Sequence, residues 1–498
     1  MNKVTWLLAL ACLVGGCRTR GPRYAYPVLD LPAAHRDLGS TGPVSAADQA
    51  WWEVFEDPVL QRLVRDALAF NQDLELAAGR VEESRARVGL AASEGRPTVD
   101  FEAGVSRGQS SEESFGVSGE RVRTNLRAAL GASWELDLWG RVRRSSQAAW
   151  ADYLATEEGR RAVLVALIAD VAQAYFELLT LDWQLRITHE TIAARRSTRD
   201  LFQRRLDGGV GSELEVARAG GDLAGVEADE PALLALIALK ENQLSLLLGR
   251  MPGGIERGTP LDAQRLAPEV PAGLPSTLLE RRPDVKAAAE RLRAAVARVG
   301  VAQADFLPRV SLTGALGLES RELSTLGNGE AGLWSLGAGL VAPLLNGGRL
   351  KAEEQAACAR VKQAEAAWRL SAQSAFRDVA DALAVLRRSR EVSVFQAAQV
   401  KARRRGLELG TKRFEGELAS YFEVLDAQRE LFPAELLLAV AKRSELLAVV
   451  RLYRALGGGW NAELPHASTC ERPQVAPPRV PCVGGAALPA QPSVPQTR

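Results

Sequence analysis

Residues 206–219 read "LDGGVGSELEVARA", and residues 414–427 read "FEGELASYFEVLDA". The two stretches stand 208 positions apart, and Glu-Val recurs at the same place in both, as Glu215-Val216 and Glu423-Val424. Each follows a long helical pattern, holds a glycine-containing turn and leads into a second helical pattern. Each therefore reads as the tip of a helical hairpin. The echo extends outward from there. "WGRVRRSSQAAW" from Trp139 aligns with "GGRLKAEEQAAC" from Gly347, "VAQAYFELL" from Val171 with "VADALAVLR" from Val379, and "LLG" at 247–249 with "ALG" at 455–457. Upstream the offset becomes 211, and "VGLAASEGRP" from Val88 aligns with "VGVAQADFLP" from Val299, setting Pro97 over Pro308. A three-residue difference in a loop accounts for the change. Only two long copies occur, so this is a duplicated fold unit rather than a solenoid array.

Each copy opens on a helical stretch, the second being "LLERRPDVKAAAERLRAAVARVGVAQADF" from Leu278. Its Ala, Leu, Arg and Glu content favours helix, and a proline ends each stretch because it cannot continue the ladder. After the proline the period changes to two. Val99, Phe101, Ala103 and Val105 alternate with Thr98, Asp100, Glu102 and Gly104; Val310, Leu312, Leu316 and Leu318 alternate with Ser311, Thr313, Ala315 and Gly317. A second strand follows each, carrying Leu126, Ala128, Leu130, Ala132, Trp134 and Leu136 in one phase, with Trp334, Leu336, Ala338, Leu340 and Ala342 in the same phase one copy later. Strict alternation marks strands with one apolar and one polar face. Periodicity alone leaves two options open. The apolar face is buried in a soluble sandwich, or it faces lipid in a membrane barrel of strands about 9–11 residues long. Four strands per chain are too few to close a barrel, so a barrel requires several chains.

The helical patterns behind the strands run from about 140 to 206 and from about 348 to 414. At 1.5 Å per residue, roughly 65 residues reach on the order of 100 Å. Leu164, Ile168, Val171, Tyr175, Leu178 and Leu185 step by fours and threes, as do Phe376, Val379, Leu383 and Leu386. Such steps make a coiled-coil seam. No continuous run of about 18 uncharged apolar residues follows the N-terminal segment, so none of these helices reads as membrane-spanning.

The N-terminus, "MNKVTWLLALACLVGGC", has Lys3, an apolar run from Val4 to Val14 and small residues before Cys17. This is the layout of a secretory signal, too short to span a bilayer. "VGGC" resembles the bacterial lipoprotein box, which makes Cys17 the lipidated mature N-terminus. Arg18 follows, with no Asp to hold the protein at the inner membrane, so an outer-membrane address is expected. The remaining residues exclude several chemistries. A formal net charge of +1 argues against a general nucleic-acid binder, and 47% hydrophobic with 25% charged residues describes a globular chain. Cys12 leaves with the signal, Cys358 sits in a helical pattern, and Cys470 and Cys482 lie in a Pro-rich tail. No cysteine pair has zinc-ligand spacing, and His35, His189 and His466 are isolated, so no cofactor or metal is expected. No Gly-rich phosphate loop ending in Lys-Ser/Thr occurs, and no nucleophile–base constellation supports catalysis.

The expected organisation is a signal peptide at 1–16, a lipidated linker at 17–50, a first repeat at 51–260, a linker at 261–277, a second repeat at 278–460 and a Pro-rich disordered tail at 461–498. The first repeat holds a β-hairpin near 98–138 and a helical hairpin at 140–249. The second holds them near 309–345 and at 348–456.

Six stretches in order carry a family resemblance: "WWEVFEDPVLQRLV" at 51–64, "WELDLWGRVR" at 134–143, "ERRPDVKAAAERLRAA" at 280–295, "ADFLPRVSL" at 304–312, "PLLNGGRL" at 343–350 and "YFEVLDAQREL" at 421–431. The chain resembles the TolC-like outer-membrane factors, in the lipoprotein branch serving resistance–nodulation–division efflux systems. The resemblance implies a mainly helical trimer with a membrane β part. Four strands per chain complete a 12-stranded barrel, and long coiled-coil hairpins form a periplasmic tunnel. It implies a passive conduit supplied by an inner-membrane pump and a periplasmic adaptor. A type I protein secretion conduit shares the fold and is the alternative; a coiled-coil adaptor would lack the four alternating strands. The small tip residues Gly211, Ser212, Ala419 and Ser420 are the expected adaptor contacts, though they also suit simple turns. Glu423 and Asp426 lie three apart on one helix face. By resemblance they ring the periplasmic gate, whereas the first copy carries Glu215 and Arg218 at those places.

Overall fold

The computed structural model describes residues 19, 21–25, 51–109, 122–264 and 275–458. Cys17 and the tail after 458 lie outside the described residues. After a 3-10 turn at Trp51–Phe55 come α1 (Pro58–Phe70), α2 (Gln72–Ser93), β1 (Thr98–Gln109), β2 (Val122–Leu136), α3 (Arg141–Asp207) and α4 (Glu213–Leu247). The second copy supplies α5 (Pro275–Arg281), α6 (Pro283–Ala304), β3 (Arg309–Ser320), β4 (Gly332–Val341), α7 (Arg349–Glu415) and α8 (Tyr421–Ala455). Both long helices have 67 residues and both return helices have 35. The start and end of the long and return helices repeat at the 208-residue offset.

Two boundaries differ from the sequence reading. The helical stretch opening the second copy is two helices, because Pro283 begins a new one and holds Arg282 extended at φ −68°, ψ 121°. The second β-hairpin, expected to reach 345, ends at Val341 and leaves Ala342 outside the strand. Pro343 lacks the N–H that a further ladder bond requires.

One core joins the two copies. Leu164, Ile168, Val171, Tyr175 and Leu178 of α3 meet Val379, Leu383 and Leu386 of α7 and Val449, Leu452 and Tyr453 of α8. An 18-residue window of α3 reaches a mean hydropathy of 1.8, enough by composition to cross a membrane, yet 67% of it is buried inside the chain. It is core helix. The fully buried Asp57 fastens this core to the segment after the first hairpin. Its Oδ1 caps α1 by accepting from Val59 N–H at 2.9 Å. Its Oδ2 accepts from the Tyr175 hydroxyl at 2.9 Å, from Gln264 Nε2 at 2.8 Å and from Thr259 N–H at 3.3 Å. Burial, and then the Asp57 charge, push the Tyr175 hydroxyl far above its ordinary pKa, so it stays a donor.

The four strands form one antiparallel sheet in the order β1-β2-β3-β4. Its register puts like with like. Phe101, Leu130, Leu316 and Trp334 lie across from one another in one row, and Val99, Ala132, Gly314 and Leu336 in the next. Asp100, Gly131, Ala315 and Ser335 make the intervening row. Directly paired residues share a face, so the alternations read from the sequence combine into one apolar face.

Candidate functional site

The sheet is the first element of the site. Val99, Phe101, Val105, Leu130, Leu316, Trp334, Leu336 and Leu340 are all exposed large apolar side chains on one face. A contiguous apolar patch on this scale marks a surface that meets lipid or protein. Opposite it stand Asp100, Glu102, Ser133, Glu135, Ser311, Thr313 and Glu319, with Arg127 Nη1 3.8 Å from Glu319 Oε2 across β2 and β3. Strands of 10–15 residues are long enough for the roughly 9–11 needed to cross a bilayer at a tilt. Among the described residues β1 and β4 each have one unpaired edge. At the foot of the sheet Asp137 accepts from Val142 N–H at 3.1 Å and from Arg143 N–H at 3.0 Å, fixing the start of α3. Here Thr19 also packs against Gly140, and Arg144 Nη2 donates to the Gly21 carbonyl at 3.3 Å.

The hairpin tips lie at the far ends of α3 and α7. Both long helices close in the same way. Val210 N–H bonds to the Arg205 carbonyl at 2.9 Å, and Leu418 N–H to the Arg413 carbonyl at 2.8 Å. The left-handed residue of this turn is Gly209 (φ 73°) in the first copy but Glu417 (φ 58°) in the second. Gly211 is required by space, since a Cβ there would stand 2.7 Å from Leu206 N. Ser212 caps α4 in a capping box with Glu215, while Ser420 makes no such side-chain bond. Two of the four expected contact residues, Gly211 and Ser212, therefore serve the turn itself. The side chains that project are ones the sequence reading missed: Val210 is 72% exposed and Leu418 is 76% exposed. Their signal was present as an apolar residue at the same place in both turns.

Behind Tyr421 the two hairpins are bound together. The Tyr421 and Thr198 hydroxyls lie 2.7 Å apart, and the Tyr421 ring meets Phe202 and Phe414 edge-on at 4.9 and 4.8 Å. Two turns further from the tip, Asp222 of α4 takes Arg195 of α3 at 3.3 Å and Arg429 of α8 at 2.7 Å. Arg195 is 4% exposed, and burial pushes its guanidinium below the ordinary value while Asp222 opposes that shift. Glu423 and Asp426 do share the exposed face of α8, with Val424 and Leu425 buried behind them. Glu423 Oε2 lies 3.4 Å from Arg413 Nε of its own chain, so its charge is partly matched. No group of three or more His, Cys, Asp or Glu residues that could hold a metal occurs among the described residues.

Comparison with known proteins agrees with this geometry. The outer membrane efflux protein family matches residues 63–250 and 274–458. The solvent efflux pump outer membrane protein SrpC of Pseudomonas putida is 35% identical over 456 residues, covering 90% of this chain and 97% of that protein. The cation efflux system protein CusC of Escherichia coli O6:H1 is 32% identical over 457 residues, covering 91% and 97%. The solved outer-membrane channel OprN superposes with a TM-score of 0.82 at 32% identity, covering 89% of this chain and all of that one.

Proposed function

The chain belongs to the outer membrane efflux protein family, and from that premise we propose that three copies close one barrel and one periplasmic tunnel. It is an outer-membrane efflux channel reaching into the periplasm, of the kind that serves tripartite pumps. The observation that carries the trimer is the four-stranded sheet with two unpaired edges and one continuous apolar face. An open edge cannot stand in lipid, and three such sheets supply the strands of a closed wall. Mass measurement in mild detergent should give three chains, and the same species should conduct steadily in planar bilayers. Monomers that pass no current would refute the reading.

The tunnel works with a periplasmic adaptor and an inner-membrane resistance–nodulation–division pump, which supplies the energy. Support comes from the tips: Val210 and Leu418 project beside Gly211, Ser212, Ala419 and Ser420, an apolar knob among small residues on each hairpin. Photocrosslinkers at 210 and 418 should capture the adaptor in cells. Relatives named for a solvent pump and for a cation system match this chain to nearly the same degree. We therefore assign substrate choice to the pump and a tolerant lumen to this chain. Glu423 and Asp426 form an acidic ring at the periplasmic gate, their support being a shared exposed face just past the tip. Lipid is carried on Cys17. The described chain resumes at Thr19 against Gly140, at the junction of sheet and helix, where a lipid anchor would reach the membrane. Intact-mass measurement of the Cys17→Ser protein should lose the acyl increments.

A further inference from the structure

Directly under the sheet, α2, α3, α6 and α7 together line an open cavity of about 920 Å³. That is the size of a site for a small organic molecule. Its floor includes Ala148 and Ala149 of α3, Ala302 of α6 and Ala357 of α7, and its walls are charged. Two observations place it on the side of the sheet's polar face. Asp305, which lines it, takes Arg309 at 2.7 Å, and Arg309 shares the face of Ser311 and Thr313 on β3. On α6 the lining residues Arg298 and Ala302 stand opposite Gly300, and a Cβ on Gly21 would be 2.5 Å from Gly300 Cα. The segment that follows Cys17 therefore runs along one side of this wall, and the cavity opens on the other.

The charges in the cavity do not cancel. All four acids that line it are engaged: Glu83 with Arg87 at 2.6 Å, Glu353 with Arg349 at 2.8 Å, Asp152 with Arg298, and Asp305 with Arg309. Arg80 of α2 and Arg360 of α7 also line it, are exposed, and make no ion pair among the described residues. Each lies roughly three turns of helix below the strands, on the two flanking helices of the four. A free guanidinium presents a planar fork of donors that fits a carboxylate, sulfonate or phosphate. Here an apolar floor lies beside it.

We propose that this cavity binds organic anions, compact apolar bodies bearing one acid group, with Arg80 or Arg360 taking the acid group and the alanines meeting the body. The inference rests on the conduit reading, which makes this face the lumen wall, and it names a class of cargo that the wall holds in passing. The pump still decides what enters, and the cavity delays anions among what arrives.

Photolabelling of the full-length protein in uncharged detergent tests this, with para-azidobenzenesulfonate as the anionic probe and para-azidobenzamide as the neutral one. The sulfonate should label peptides containing Ala148, Ala149, Ala302 or Ala357. Naphthalenesulfonate should compete with it, and naphthylmethanol should not. Arg80→Gln with Arg360→Gln should lower labelling several-fold at unchanged oligomer mass, since neither side chain has an ion-pair partner to lose. Arg80→Lys with Arg360→Lys should keep part of it, a point charge replacing the fork. Arg369→Gln, about two and a half turns beyond Arg360 and so on the opposite face of α7, should leave labelling unchanged. Equal labelling by the neutral probe, or undiminished labelling in the double Gln variant, overturns the site. A conducting trimer that is not labelled overturns the site and leaves the conduit standing. Labelling confined to a monomer that passes no current supports the cavity, which one chain forms by itself, and overturns its placement in a lumen.

Discussion

Removing Asp222 should loosen the hairpin tips far more than removing Arg429, although both make the same ion pair. Arg195 is almost wholly buried, its side chain 5% exposed, and Asp222 is the acid within 3.3 Å of it. Its Nε and Nη1 make no hydrogen bond. Asp222→Ala would strand that guanidinium, and breaking a buried pair in this way costs about 3–5 kcal/mol. Arg429 is 47% exposed at its side chain, so Arg429→Ala should cost only about 0.2–1 kcal/mol. Every 1.4 kcal/mol is tenfold in an equilibrium, so hydrogen exchange of amides near the tips of α4 and α8 should quicken by about a hundredfold to a few thousandfold in the first variant. In the second it should quicken by about fivefold at most. Replacing the whole buried pair is the decisive control. Arg195→Met with Asp222→Ala puts an apolar chain beside Ile192, Leu223 and Val226 and should recover most of the protection. Equal exchange in the two single variants, or no recovery in the double, would show that Arg195 is not the source of the cost.

On the sheet, Leu130→Arg or Leu312→Arg should cost about 2–4 kcal/mol at mid-bilayer and deplete outer-membrane trimer on semi-native gels, whereas Ser311→Arg should assemble normally. At the gate, Glu423→Gln with Asp426→Asn should lower cation selectivity and relieve divalent block in planar bilayers. Because Arg413 matches part of the Glu423 charge, Arg413→Ala should shift selectivity the opposite way; no change in either variant would move the gate elsewhere. At the tips, Val210→Asp or Leu418→Asp should abolish adaptor crosslinking and efflux while leaving the detergent trimer intact, and retained efflux in both would exclude these side chains from the contact.

What the sequence made legible was whatever depends on local period and on the echo. The face alternation survives pairing because antiparallel partners share a face, so four separate alternations had to agree, and they do along the row Phe101, Leu130, Leu316 and Trp334. Each hairpin was readable because a turn residue is chosen by its own backbone, as at Gly209. What stayed hidden depends on contacts across hundreds of residues. Asp57 looked like any surface acid until Tyr175, Thr259 and Gln264 came to it, and Asp222 and Arg429 stand 207 positions apart. Local propensity carries no information about such partners. The exposed Val210 and Leu418 lay hidden for the opposite reason. An apolar residue in a turn signals function only once the fold is seen to leave it uncovered.

The two copies have kept their lengths and diverged in what lies between them. Near the tips the seam within the chain holds Phe202, Thr198 and Tyr421, with Arg429 reaching Asp222. The copied positions are Gly410, Gly406 and Glu213, with Gly221 in place of Arg429 and Glu430 in place of Asp222. Burying an aromatic or large aliphatic side chain contributes about 1.5–3 kcal/mol, so two aromatics and an ion pair separate the seams by several kcal/mol at this end. The disparity lies at the tips, since toward the sheet the copied faces still carry the exposed Phe395, Leu239 and Leu246. A trimer whose six hairpins met through equal seams would open uniformly or not at all. Unequal seams give an adaptor's binding energy a preferred place to act, because a ligand shifts an equilibrium only by its differential affinity, and the shift needed is smallest at the weakest joint. The tips should therefore part first between chains, with each chain's pair of hairpins moving as one clipped unit.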